Sequence, residues 1–102
     1  MSKFRDIDRN DALGMVGKGW AGLINELYDA MPSDTTVLQV KEKFGGLRFD
    51  VGFCSIEFSD LISKCERLSY YICERCGKRG MLRENRRWIL TLCDECNEKD
   101  LK

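Results

Sequence analysis

The chain has 102 residues, enough for one domain with a modest core. Its 17 lysines and arginines balance its 17 aspartates and glutamates, and histidine is absent. No imidazole is therefore available as a general base or metal ligand, and the overall balance is not that of a dedicated, strongly basic DNA binder.

Residues 1–13 are charged and aperiodic, with Asp6, Asp8 and Asp11 set among Arg5 and Arg9, and they predict a flexible, solvated arm. They contain no apolar secretion segment, and no run in the chain is long enough to span a bilayer. A cytoplasmic, reducing setting without membrane contact is expected, where clustered cysteines favour metal over disulfides. Gly17-Lys18-Gly19-Trp20-Ala21-Gly22 fits the spacing of a dinucleotide loop, but no strand precedes it. It reads instead as a flexible lead-in to a helix. Trp20, Leu23, Ile24, Leu27 and Met31 recur at helical spacing, predicting a helix over 19–31 that Pro32 ends.

Residues 37–54 predict a β-hairpin turning at Gly45-Gly46, a pair that tolerates the positive φ angles of primed turns. Pairing outward sets Phe44 against Leu47, Glu42 against Phe49, Val40 against Val51 and Leu38 against Phe53. That face is apolar except for Glu42. The other carries Gln39, Lys41, Lys43, Arg48 and Asp50. A carboxylate on an apolar face needs solvent, an amide or an arginine. A structural partner is the first reading of Glu42, and a pocket carboxylate the second. Phe58, Leu61, Ile62, Cys65 and Leu68 predict a second amphipathic helix over 56–71, with Cys65 as a core residue and Cys54 as a spare thiol.

Two Cys-x-x-Cys pairs follow, Cys73/Cys76 and Cys93/Cys96, separated by sixteen residues. Each pair can clip one ion from a tight turn, and together they complete the four-sulfur shell of a structural zinc ion, Zn2+. Two disulfides and an iron–sulfur site are the rival readings. Between the pairs, Trp88, Leu90 and Leu92 alternate like a strand, with Glu84-Asn85-Arg86 as the turn. The expected fold class is α+β. A single domain over 1–102 carries helix–hairpin–helix over 19–72, then a C-terminal zinc ribbon with two knuckles over 73–96.

A shell closed by four sulfurs leaves no position for a reacting water, and no serine elbow, phosphate loop or His-Glu pattern is present. The expectation is a non-enzymatic binding module. Positive charge collects locally: Arg75, Lys78, Arg79, Arg83, Arg86 and Arg87 stand beside Trp88, and the hairpin adds Lys41, Lys43 and Arg48. Arginines next to an aromatic suit phosphates and stacked bases, so nucleic acid or another polyanion is the first partner. Protein–protein inhibition is a second reading. Sequestration of a small nucleotide near Gly45-Gly46 and Arg48 is a third. The sequence leaves the oligomeric state open.

Gly19-Trp20 with Leu23-Ile24, the run from Gln39 to Phe49 with its Lys-Glu-Lys-Phe-Gly-Gly-Leu-Arg-Phe core, and Thr91-Leu92-Cys93-Asp94 give the chain a resemblance. Over about residues 19–96 it resembles a family of small uncharacterised zinc-ribbon proteins from bacteriophages and bacterial genomes. The resemblance implies a phage or mobile-element origin and adds weight to Glu42 and Arg48 as a site. By analogy with small phage proteins, it also implies action on host components, immune systems included.

Overall fold

The computed structural model describes residues 6–100, which form an α+β structure of helices and two small antiparallel sheets. Part of the expected arm is a helix, α1 (Arg9–Met15). Aperiodic sequence hid it because polar contacts hold it as much as burial does. The Asp8 side chain caps its start by accepting from the Asp11 amide at 2.8 Å. Arg9 donates to Asn25 and Asp29 of α2 (Ala21–Ala30), at 3.2 and 2.7 Å. Only Ala12 of α1 is fully buried. Residues 1–5 of the expected arm lie outside the described residues.

One 3-10 turn, Lys18–Trp20, buries Trp20 and leads into α2, which buries Leu23, Ile24 and Leu27 as their spacing predicts; the helix expected over 19–31 is α-helical only from Ala21 to Ala30. Strands β1 (Val37–Lys43) and β2 (Gly46–Val51) form the hairpin. Its turn is Phe44-Gly45, with φ angles of 53° and 87°, and not Gly45-Gly46. Glu42 consequently stands opposite Leu47, and Val40 opposite Phe49. Pairing has moved by two residues, an even number, so the core face survives. The cause is Gly46, which must lie in the strand against the ring of Tyr70: a Cβ there would sit 2.3 Å from Tyr70 Cζ. An irregularity between Val37 and Gln39 takes Leu38 out of the ladder, and Leu38 and Phe53, expected as a core pair, are exposed.

Helix α3 (Ile56–Ser69) starts on the Ser55 cap and buries Phe58, Ile62 and Cys65 against the hairpin and α2. It also covers the edge of β2. The Leu47 amide donates to the Ser69 hydroxyl at 2.8 Å, and the Phe49 amide to Glu66 Oε2 at 2.9 Å.

The second sheet pairs β3 (Met81–Arg83) with β4 (Leu90–Leu92). The connection between them is longer than the expected turn at 84–86, and Trp88 lies in it, exposed, instead of in a strand. The polar stretch after the last cysteine pair is largely helical: α4 spans Asp94–Asp100.

Candidate metal centre

Cys73 and Cys76 sit on a knuckle closed by its own backbone. The Cys73 amide donates to the Lys78 carbonyl at 2.7 Å, and the Gly77 amide to the Cys73 carbonyl at 2.8 Å. Gly77 holds a φ of 85°, the left-handed turn that lets the chain double back. The second pair sits differently from a second knuckle. Cys93 precedes α4 and Cys96 lies in its first turn, where its amide points at Cys93 Sγ, 3.4 Å away.

The four sulfurs all lie within 4.8 Å of one another, and Cys76 Sγ is 3.6 Å from Cys93 Sγ. A tetrahedral ion with metal–sulfur bonds of about 2.3 Å needs sulfur–sulfur edges of about 3.8 Å. The spacing fits that shell, far exceeds an S–S bond of about 2.05 Å, and all four cysteines are free thiols. The residues therefore fit a single metal ion. Burial opposes ionisation of Cys73, but hydrogen bonds from the backbone at Cys93, Arg75 and Cys76 bring its thiol down to about 6. The hydrogen bond with Cys93, then desolvation, pushes Cys96 up to about 12. Protons thus leave such a cluster unequally, and a dication, which favours every thiolate, overrides that inequality.

The glycine-rich lead-in proves to be part of this centre. The Gly19 amide donates to the Glu74 carbonyl at 2.8 Å. A Cβ on Gly19 would meet the Cys73 carbonyl oxygen at 2.0 Å, and one on Gly17 the Glu74 carbonyl oxygen at 2.1 Å. Buried Trp20 donates its indole N–H to the Ile72 carbonyl at 2.9 Å. Close approach of two backbones explains these glycines better than flexibility does. Their one-residue spacing beside a tryptophan was the available signal. From the other side, the Thr91 hydroxyl donates to the Gly45 carbonyl at 2.7 Å, joining the hairpin turn to β4.

Glu42 has the structural partner expected of it: Oε2 accepts from the Gly45 amide at 2.8 Å and closes the turn. It is not brought to Arg48, which stands opposite Lys41 on the outer face. Glu74 is buried nearby, and desolvation, followed by the charge of Glu42, pushes its carboxyl up to about 7. At the glycines of the expected nucleotide pocket, a Cβ on Gly45 would meet Leu82 Cδ1 at 2.4 Å and one on Gly46 would meet Tyr70 Cζ at 2.3 Å, while a cavity opens beside Arg48, Glu66 and Tyr70. Cys65 is a core thiol that burial pushes up to about 11, and Cys54 packs partly against the same core.

The basic residues fall into several local groups. Arg83 bonds the Leu92 carbonyl and pairs with Asp94 at 2.7 Å, and Arg86 bonds Asn97, so both fasten β3 and its loop to α4. Lys78 lies 3.9 Å from Glu95. Arg75 and Arg79 are exposed on the knuckle. Arg48 lies beside Glu66 and Tyr70, and Lys41 beside Ile7 and Met15. Lys43, Arg87 and Trp88 do come together. With Glu42, Phe44 and Ile89 they line an open groove of about 350 Å³ between the hairpin turn and the β3–β4 loop.

No known protein family, curated protein or solved structure matches the chain. No helix among the described residues is long and apolar enough to cross a membrane.

Proposed function

We propose that this chain is a zinc-stabilised, non-enzymatic module that engages nucleic acid, or a chemically similar polyanion, through the groove between the hairpin turn and the β3–β4 loop. One observation carries the reading: Lys43 and Arg87 share that groove with two aromatic residues, Phe44 and Trp88, each 65% exposed. Cations beside stackable rings are the two components of sequence-tolerant nucleic-acid binding. Zinc is the proposed ion because four thiolates in a closed tetrahedral shell suit it, and its role is structural. The ribbon-like end then serves to hold the β3–β4 loop beside the hairpin. The resemblance to small phage proteins accords with action on a host or phage polymer.

Elemental analysis of protein purified under reducing conditions should give one zinc per chain. Iron in its place overturns the choice of ion but not of site. Binding to DNA and RNA oligonucleotides should be measurable at low ionic strength and weaken steeply with added salt. Absence of binding at low salt defeats the polyanion reading.

A further inference from the structure

We infer that the groove takes unpaired bases, and that the preferred polymer is single-stranded, with Phe44 and Trp88 as the stacking rings and Lys43 and Arg87 on the flanking phosphates. This inference rests on the polyanion reading above and narrows it to one substrate class.

The first support is the backbone of Phe44. It holds a φ of 53°, in the left-handed region that a residue with a bulky side chain avoids. Glycine or asparagine fills such a turn position with less strain. The phenylalanine gains little burial in return, since the residue is 65% exposed. An exposed aromatic kept at a strained position points to use of the ring itself, because strain of this kind concentrates at binding sites.

The second support is the company of the ring. Lys43 Nζ lies 5.8 Å from its centroid, and Trp88 and Arg87 line the same groove. Trp88 is equally exposed and lies in the loop between β3 and β4, not in the core. It belongs to neither buried apolar cluster.

The third is charge order. The groove also contains Glu42, whose Oε2 accepts from the Gly45 amide. A carboxylate repels phosphate and accepts from the N–H groups of base edges. Bases rather than phosphates thus fit beside Glu42, with the backbone running along Lys43 and Arg87. Duplex DNA presents its phosphates outward with its bases already stacked, and cannot offer a face to either ring.

The test compares zinc-loaded full-length protein at low salt on three ligands: a single-stranded DNA 12-mer, its duplex, and an abasic 12-mer with the same phosphodiester backbone. The single strand should bind at least tenfold tighter than either other ligand and quench the exposed tryptophan. Phe44→Asn and Trp88→Leu should each weaken single-strand binding about 5- to 150-fold, the range for loss of one stacked base, with abasic binding and zinc content unchanged. Lys43→Gln should weaken all three ligands together. Equal binding of abasic and intact strands overturns base stacking while leaving the polyanion reading intact, as does a preference for duplex. No binding by any of the three removes both.

Discussion

At Gly19, a hydrogen atom in place of a side chain lets the lead-in lie directly on the backbone of the cysteine knuckle. Gly19→Ala would drive a methyl into the Cys73 carbonyl, a backbone atom that cannot swing aside. It should cost about 1–3 kcal/mol, as overpacking does, and weaken binding of the proposed metal. Thermal denaturation and metal competition would register both effects. Gly22, in α2, is the control, because a Cβ added there would meet nothing within 4 Å. Gly22→Ala should stabilise by about 0.4–1 kcal/mol. Phe44→Asn belongs with these two. Relief of its left-handed backbone should raise stability by about 1 kcal/mol in the same variant that loses binding. A lower melting temperature for Phe44→Asn would show that the ring serves the fold.

Among the elements, α1 and α2 are coupled through Tyr28. Its hydroxyl donates to the Ile7 carbonyl, its ring meets Phe49 edge-on at 5.8 Å, and Arg9 lies over it. Desolvation, then the charge of Asp6, push its phenol from 10.0 up to about 12. Between those two values the unfolded chain loses this proton while the folded one keeps it, so stability falls as pH rises from about 10 to about 12. Denaturation followed across that window should show the decline, and Tyr28→Phe should flatten it. Elements that bury a periodic stripe were legible beforehand. Leu23, Ile24 and Leu27, with Trp20 just before them, wrote α2 plainly, as Phe58, Ile62 and Cys65 wrote α3, because burial repeats at the helical period. Elements held by other means were not. α1 rests on the Asp8 cap and on Arg9, and α4 on the cysteine pair at its start, and neither leaves a stripe. The turn was misplaced by one residue because either glycine suits a primed turn, and only the ring of Tyr70 decides between them. In the centre, cysteine spacing announced four thiols that could hold one metal ion. The groove joins residues 42–44 to 87–89, a juxtaposition no local pattern encodes.

For the molecule as a whole, two apolar clusters share the load. The larger gathers α1, α2, the hairpin and α3; the smaller, among the described residues, has Cys73, Leu90, Leu92 and Cys93, with Cys96 against it. Three of those five residues are proposed ligands, so the small cluster has little cohesion without metal. Chelation under reducing conditions should release its amides first. Exchange at Glu74 and Gly77 should accelerate by orders of magnitude, while Leu47 and Phe49, whose amides bond α3, stay protected. Simultaneous loss of protection in both regions would show one cooperative unit instead of two.

The seating of residues 17–20 on the knuckle limits what can be borrowed from this protein. Transplanting 73–96 into a foreign host would strip the cysteine clip of the neighbour that covers its carbonyls and of the indole that bonds Ile72. The portable unit is therefore discontinuous: a short saddle from early in the chain must travel with the clip that it carries.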